Sequence, residues 1–278
     1  MKKVLLTTLL AVAGLGMMAQ KVDKAKDLLA KNKLAEAKTE IDGVLADPKN
    51  QKNAEAYYLK GKIYSAITGD NALSAQVPDA GAQSFEAIKK YIDMDEKHLS
   101  ITLDNYKPIT DMYQGYFKKG AAQFQGNQYA ESFTTFKSCL ELSDYMSAKG
   151  WANIKLDTTV VLYTGIAAEK AGKKDDAAIY YGRLADAKVN GDNMGEIYKW
   201  LTDYYAKKND NTNALKYLNL GAELYPKDTF WAEYEMQMIR DSGDKKALFA
   251  QYEKVLAKES FRLHNTLQLF CRTLPDSI

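Results

Sequence analysis

The stretch GIAAEKAGKKDDAAIYY, which begins at Gly165, combines glycines and lysines in the manner of a loop that binds phosphate. In such a loop four residues separate the two glycines, and the lysine is followed by Ser or Thr, whose hydroxyl holds a metal ion. Here six residues separate Gly165 from Gly172, and Lys173 is followed by Lys174. The apolar residues before Gly172 recur at helical spacing, whereas a phosphate loop follows a strand. The stretch is therefore not predicted to bind phosphate.

The same stretch is instead predicted to be a pair of helices joined by a tight turn. The first helix is expected to end near Ala171, and the second is expected to begin at Asp175. Asp175 is interpreted as the N-cap of the second helix, and Asp176 as a negative charge that favours its first turn. This interpretation predicts that similar helix pairs recur along the chain.

Other residues that could do chemistry are few and scattered. The two histidines, His98 and His264, lack a second histidine or a cysteine at the spacing of zinc ligands. Ser242 and Lys245 have the Ser-x-x-Lys spacing of some acyl enzymes, but the partner motifs of those enzymes are absent. The sequence therefore predicts no catalytic residues, no metal site and no cofactor.

The first residues have the layout of a secretory signal peptide. The segment MKKVLLTTLLAVAGLGMMAQ starts with two lysines, continues with an apolar run and ends in small residues and Gln20. Cleavage is predicted after Ala19, with Ala13 as the second choice, so residues 1–19 are expected to be removed. The apolar run is shorter than the roughly 20 residues that a membrane-spanning helix needs. No membrane span is predicted elsewhere in the chain.

The charge balance argues against nucleic acid as a partner. The chain has 38 Lys+Arg and 36 Asp+Glu, and loss of Lys2 and Lys3 with the signal peptide leaves equal numbers. Nucleic-acid phosphates select a basic surface, which this balance does not provide. The apolar content of 46% and the five prolines indicate an ordered protein. The two cysteines, Cys139 and Cys271, are too few for a disulfide framework, and both are predicted to be free thiols.

Helix pairs with one pattern recur along the chain. The first helix of a pair has an aromatic residue and a glycine four residues later, as in Tyr57 with Gly61 and Tyr116 with Gly120. The second helix has a small residue, followed after one turn by a bulky one. A small residue lets two helix backbones approach, and the bulky residue fills the adjacent groove. The predicted small residues are Ala37, Ala87, Ser132, Ala177 and Ala214.

This pattern resembles the tetratricopeptide repeat, a unit of two antiparallel helices that reads W-x2-L-G-x2-Y, then A-x3-F, then P. The resemblance extends over about residues 22–257 and is weakest at both ends. It implies an all-α fold, a right-handed superhelical solenoid of stacked antiparallel helix pairs. Residues 20–278 are expected to form a single solenoid of about six pairs. The stretch SFRLHNTLQLFCRTL is expected to be a helix that caps the stack.

In the family that the chain resembles, the first helix of each pair lines a concave face that binds extended or helical peptides. That resemblance and the helical period assign the partner-binding groove to Tyr58, Lys62, Ser65, Phe117, Phe124, Glu169, Lys199 and Asp203. Phe117 and Phe124 are the predicted anchors, because buried aromatic residues dominate interface energy. The stripe lacks the alternating Lys and Asn with which one subgroup holds C-terminal carboxylates, so that ligand is not predicted.

The predicted function is a non-catalytic protein–protein interaction scaffold in the cell envelope. The short signal ending in Ala-Gln and the irregular repeats resemble exported repeat proteins of Bacteroidetes-like Gram-negative bacteria. That resemblance implies the periplasm, or secretion or outer-membrane association through a partner. The alternative is a receptor for a glycan or small ligand, enclosed by the groove aromatics and the insertions at 70–82 and 143–157. In a further alternative, these insertions fold over the groove and bury Phe117 and Phe124.

Overall fold

The computed structural model describes residues 21–241, and every regular element in that range is a helix. The helices are α1 (21–30), α2 (Leu34–Ala46), α3 (Ala54–Gly69), α4 (Asn71–Gln76), α5 (Ala80–Met94), α6 (Leu99–Leu103), α7 (Lys107–Gln125), α8 (Tyr129–Ala148), α9 (Thr158–Lys170), α10 (Lys174–Asp186), α11 (Gly195–Lys207), α12 (Asn211–Leu224) and α13 (Phe230–Asp241). The predicted all-α class is thus confirmed. The predicted signal peptide, its cleavage site at Ala19 and Gln20, and the predicted capping helix lie outside the described residues.

Three-residue turns join the two helices of several pairs. In each of these turns one residue adopts the left-handed conformation that favours Gly and Asn. These residues are Asn32 (φ 55°), Asn127 (φ 58°), Gly172 (φ 77°) and Asn209 (φ 60°). At Gly172, the Gly172 amide donates to the Glu169 carbonyl and the Lys173 amide donates to the Ala168 carbonyl, both at 2.9 Å. The turn therefore satisfies carbonyls that the end of α9 would otherwise leave open.

The stretch with phosphate-loop residue types is one of these turns. Because α9 ends at Lys170 and α10 begins at Lys174, the predicted helix pair is confirmed. The predicted N-cap is wrong, since Asp175 lies inside the first turn of α10 together with Asp176. The left-handed Gly172 reverses the chain in one step, so the helix starts one residue earlier than expected. Both carboxylates still stabilise α10, because they lie at the positive end of its helix dipole.

The two helices of a pair approach closely where the first helix has a glycine. In the pair α7/α8, a Cβ on Gly120 would lie 3.0 Å from two ring carbons of Phe136. The Ser132 hydroxyl donates to the Gly120 carbonyl at 2.9 Å. Contacts this short mean that Phe136 would have to shift to admit a side chain at Gly120. The predicted roles of Gly120, Ser132 and Phe136 are therefore confirmed.

The pair α3/α5 has the same contacts in a register that differs from the predicted one. A Cβ on Gly61 would lie 2.6 Å from Ile88, and the Ser84 hydroxyl donates to the Gly61 carbonyl at 2.6 Å. The small residue at the close approach is thus Ser84 rather than the predicted Ala87, and the bulky residue is Ile88. Along the chain, the short helix α4 lies between α3 and α5, and the repeat spacing does not encode this insertion.

Both insertions pack onto hydrophobic clusters of the first half of the chain. In the insertion at 70–82, Leu73 and Val77 contact a cluster that includes Ile41 and Ile63. In the insertion at 143–157, Trp151 packs against a second cluster and stacks on Tyr106 with ring centroids 4.8 Å apart. Neither cluster contains Phe117 or Phe124. The buried members of the second cluster are Tyr58, Phe85, Ile88, Tyr91, Ile92, Ile101, Ile109, Met112, Leu142 and Met146.

The chain divides into two compact units between Tyr180 and Tyr181, inside α10. The first unit has the helices from α1 to α9 and the start of α10. In the second unit α11 packs against α12, and Leu201 of α11 and Ala214 and Leu218 of α12 are buried. The arrangement of helices in one continuous solenoid stays a prediction.

Several tyrosines of the first unit place their rings in the core and their hydroxyl groups on aspartates. Tyr64 donates to Asp42 at 2.6 Å, and Tyr113 donates to Asp157 at 2.7 Å. Burial by itself raises the pKa of the Asp42 carboxyl, but hydrogen bonds from Tyr64, Lys60 and Lys38 outweigh it and lower that pKa. Burial and the bond to Asp42 raise the pKa of Tyr64. These contacts join α2 to α3 and α7 to the start of α9, so the core role predicted for many tyrosines holds here.

Candidate functional site

Three aromatic side chains form a partly exposed surface in the first unit, which we name the aromatic face: Phe117, Phe124 and Tyr163. The Tyr163 ring lies between the two phenylalanines, with centroids 6.2 Å from Phe117 and 6.4 Å from Phe124. The ring planes meet at 80° and 70°, so the contacts are edge-to-face. Such contacts hold aromatic rings in fixed relative positions. The aromatic face is therefore a preformed apolar surface.

The helical period and one buried ring position the aromatic face. Phe117 and Phe124 are seven residues apart on α7, so they project from the same side of the helix two turns apart. Beneath them lies Phe136 of α8, which is 0% exposed and fits against Gly120. Tyr163 of α9 stacks on Phe136 at 5.5 Å with an interplanar angle of 17°. Three helices thus contribute to one aromatic cluster.

The aromatic face is open to solvent in the described part of the chain. Tyr163 is 38% exposed, and Phe117 and Phe124 are half-buried. The rim has a further ring, because Tyr129 lies 5.2 Å from Phe124. The insertions pack on other residues, so the alternative in which they bury Phe117 and Phe124 does not describe this structure.

Sequence reasoning found the two phenylalanines of the aromatic face and missed Tyr163. The groove position predicted on α9 is Glu169, whereas Leu162 and Ile166 of the same helix are half-buried. Tyr163 follows Leu162 directly and is the exposed aromatic residue of α9. A signal existed, since Tyr163 was an aromatic residue outside the repeat packing positions. The rotation of α9 against α8 places Tyr163 over Phe136, and residue spacing alone does not predict this rotation.

The predicted groove residues of α3 are covered by a later segment of the chain. Residues 99–108, comprising α6 and the start of α7, lie against α3, with Ile101 fully buried. Tyr58 is buried, and its hydroxyl donates to Asp104 at 2.6 Å. Ser65 is buried and donates to the Pro108 carbonyl at 2.8 Å. Tyr58 and Ser65 therefore present no surface to a partner in this structure.

Lys62, the remaining predicted groove residue of α3, is part of the same attachment. Its Nζ atom lies 2.6 Å from the Asp104 carboxylate, and its side chain is 36% exposed. Burial raises the pKa of the Asp104 carboxyl, but hydrogen bonds from Lys62 and Tyr58 outweigh burial and lower that pKa. Asp104 belongs to the segment 99–108, and Lys62 of α3 compensates its charge.

The other charged residues that were predicted to line the groove already have partners within the protein. Glu169 is six residues after Tyr163, about 120° around α9 from it, and it is already engaged in an interaction. In the second unit, Lys199 pairs with Asp228 at 2.8 Å, and Asp203 pairs with Lys207 at 2.6 Å. Hydrogen bonds to Asp228 and Glu196 raise the pKa of Lys199. These pairs are intramolecular contacts of α11.

The groups that could do chemistry remain dispersed in the described residues. No group of three or more His, Cys, Asp or Glu side chains in the range 21–241 has the geometry of a metal site. His98 faces Trp151 at 6.2 Å between ring centroids. The Cys139 thiol is buried and donates to the Tyr113 carbonyl at 3.4 Å, and burial raises its pKa to about 12. His264, Cys271, Ser242 and Lys245 lie outside the described residues.

An open cleft of about 510 Å³ lies in the second unit, between the end of α10 and α12. Its lining residues are Asp186, Lys216, Asn219, Leu220 and Glu223. Lys216 pairs with Asp186 at 2.7 Å and Glu223 pairs with Lys188 at 2.8 Å, so the charged residues of this cleft already have ion-pair partners. The cleft contains none of the predicted groove aromatics.

Among the described helices, none combines the length and the apolar character needed to cross a bilayer. No protein-family model matches the chain, and no curated protein matches it. The crystal structure of MamA is similar over 73% of this chain and 95% of its own, with 16% identity and a TM-score of 0.32. The crystal structure of PilW, a widely conserved type IV pilus biogenesis factor, covers 90% of this chain and 98% of its own, with 16% identity and a TM-score of 0.34. Both TM-scores are too low to support a conclusion about this chain.

Proposed function

We propose that the protein is a non-catalytic interaction scaffold that binds a partner protein through the aromatic face. The observation that carries the proposal is the position of Phe117, Phe124 and Tyr163, which remain partly exposed on a buried support. Keeping apolar rings in contact with water costs stability, and a partner that covers them recovers that free energy. Aromatic side chains in such positions are frequent anchors of protein interfaces.

The proposal narrows the groove predicted from the sequence. Phe117 and Phe124 remain its anchors, and Tyr163 joins them. Tyr58 and Ser65 are excluded because residues 99–108 cover them, and Lys62 is bound to Asp104. Within the first unit, the partner is therefore expected to contact α7 and α9 rather than α3.

The alternative function, a receptor for a glycan or small ligand, has less support. It would require the insertions to enclose the groove aromatics, whereas residues 70–82 and 143–157 pack on two clusters that include neither phenylalanine. The rings of the aromatic face also meet edge-to-face and do not lie side by side as one flat platform. A glycan ligand is nevertheless a distinct outcome of the binding experiment below.

We also propose that the protein acts outside the cytoplasm, with the periplasm as its compartment. The support is the signal-like layout of residues 1–19. Expression of residues 1–278 in a Gram-negative host should give a periplasmic product that begins at Gln20, measured by fractionation and intact mass. A product that retains Met1 in the cytoplasm would contradict this location.

The binding proposal is tested by comparing the wild-type protein with the variant Phe117→Ala/Phe124→Ala. Each protein is immobilised and incubated with native envelope extract of the source cell, after circular dichroism has verified that helix content is unchanged. A specific protein that the wild type retains and the variant loses is the expected result.

The matched control is Leu99→Ala/Leu103→Ala, which removes two apolar side chains of α6 that are 58% and 76% exposed. This control should retain the partner, because α6 lies outside the aromatic face. Equal retention by all three proteins would move the binding site elsewhere. Retention of a glycan alone would favour the receptor.

A further inference from the structure

Two exposed lysines lie on the helices that carry the aromatic face, close in sequence to its rings. Lys118 follows Phe117 directly and lies about 100° around α7 from it. Lys170 is seven residues after Tyr163, so it projects from the same side of α9 two turns further on. Both side chains are exposed. Each of these two helices therefore has an exposed positive charge.

Neither lysine is neutralised within the described part of the chain. Some other lysines of the first unit have carboxylate partners, such as Asp42 at 2.9 Å from Lys60 and Asp111 at 2.6 Å from Lys107. Lys118 and Lys170 have no carboxylate within ion-pair distance among residues 21–241.

Acidic residues are also sparse on the two helices that carry the aromatic face. From Met112 to Gln125, α7 has two charged residues, and both are lysines, Lys118 and Lys119. The carboxylate of α9 is Glu169, which is already engaged in an interaction. On α7 after Met112 and on α9, the exposed charged side chains are thus positive, on a chain whose overall charge is close to balanced.

We infer that the partner segment is acidic, with carboxylate side chains beside the apolar or aromatic side chain that fills the aromatic face. This inference rests on the proposed function and adds the chemistry of the partner. Carboxylates placed over Lys118 and Lys170 gain attraction that is weak in water and stronger once the apolar anchor excludes solvent. A basic segment would place like charges against both lysines and would be rejected.

A peptide selection on the full-length protein tests the inference through the composition of the peptides that it recovers. Random peptides displayed on phage are selected at low salt, and those recovered are synthesised with a fluorescein label. Their dissociation constants are measured by anisotropy for the wild type and three variants. The variants are Phe117→Ala/Phe124→Ala, Lys118→Glu/Lys170→Glu and Lys119→Glu.

Lys119→Glu is the matched control, because Lys119 has the same charge and helix as Lys118 but lies about 200° around α7 from Phe117. The expected peptides need both phenylalanines and contain Asp or Glu next to apolar residues. Reversing Lys118 and Lys170 should weaken their binding on the order of tenfold, and Lys119→Glu by less than about twofold. Binding should also weaken as salt rises.

The outcomes separate the inference from the proposed function. Peptides that need Phe117 and Phe124 but are neutral or basic, or that tolerate the reversal, overturn the inference and leave the proposed function standing. If no recovered peptide needs the phenylalanines, both are contradicted. Lys170 also favours the C-terminal end of α9, so Lys118→Glu alone serves as a second variant if the double reversal lowers helix content.

Discussion

At the scale of single residues, the first unit is held together by tyrosine hydroxyl groups on aspartates as well as by apolar packing. Asp42 accepts the Tyr64 hydroxyl at 2.6 Å and also pairs with Lys38 and Lys60. A charged acceptor strengthens such a hydrogen bond. A partly buried carboxylate is costly in free energy if its donors are removed. The tyrosines thus fill the core with their rings and satisfy a charge at its edge.

Replacing Tyr64 by Phe tests this role. The variant keeps the ring and removes the donor, while Lys38 and Lys60 continue to compensate Asp42. We expect a loss of about 1–2 kcal/mol in the free energy of unfolding at neutral pH, measured by denaturant titration. The control is Tyr57→Phe, because the Tyr57 hydroxyl has no hydrogen-bond partner among the described residues. Equal losses in both variants would contradict the role of the Tyr64 hydroxyl.

The same contact predicts a pH dependence with a defined sign. The pKa of Asp42 is lowered in the folded state, so its contribution to stability is present above the pKa of an unfolded aspartate, about 3.9. That contribution is lost as the pH falls through the lower folded-state pKa. In Tyr64→Phe the folded-state pKa should rise, so the stability difference between wild type and variant should shrink in acid. A difference that grows on acidification would contradict this account.

Cys139 should be unreactive while the first unit is folded. Its thiol is fully buried, and burial raises its pKa to about 12, so the reactive thiolate is rare at neutral pH. In a Cys271→Ser background, labelling of Cys139 by a thiol reagent should be slow and should accelerate on unfolding. Fast labelling of the native protein would show that α8 opens readily or packs differently.

At the scale of helices, the close approach of α7 and α8 supports the aromatic face, because Phe136 lies between Gly120 and Tyr163. Gly120→Ala would place a methyl group 3.0 Å from the Phe136 ring. The expected destabilisation is about 1–3 kcal/mol, with weaker binding at the aromatic face because Phe136 must move.

Gly115→Ala is the matched control on the same helix. The nearest atom to its Cβ would be Thr68 Cγ2 at 4.0 Å, which is an ordinary contact. Because Ala favours a helix over Gly by about 1 kcal/mol, Gly115→Ala should stabilise the protein or leave it unchanged. Thermal unfolding of both variants distinguishes the two sites. A Gly120→Ala variant as stable as Gly115→Ala would contradict the close packing.

At the scale of the whole molecule, the division into two compact units predicts that a destabilising substitution in one unit loosens mainly that unit. Each helix pair contacts mainly its neighbours in sequence, and in such architectures stability is a sum of local terms. Leu201 of α11 is fully buried, so Leu201→Ala should cost about 2–4 kcal/mol. Hydrogen exchange should accelerate in α11 and α12 far more than in α2 and α3.

The reciprocal variant completes the comparison. Ile63→Ala removes a fully buried side chain of α3 and should accelerate exchange in α2 and α3 while α11 and α12 keep their protection. Uniform acceleration over both units in either variant would indicate a single cooperative unit instead.

By itself the sequence determined the helix pairs, their turns and two of the three rings of the aromatic face. These features depend on local rules: apolar periodicity defines a helix, Asn32, Asn127 and Asn209 adopt the left-handed turn, and two aromatic residues seven apart share one side of α7. Phe117 and Phe124 were therefore recognisable from their spacing along the chain.

Only the tertiary structure decided what surrounds those two rings. Residues 99–108 cover Tyr58 and Ser65, α5 approaches α3 at Ser84, and Tyr163 completes the aromatic face over Phe136. Each of these results depends on contacts between segments distant in the chain. Side-chain periodicity specifies which side of a helix is apolar, but the segment that covers that side is selected by shape and by polar partners such as Asp104.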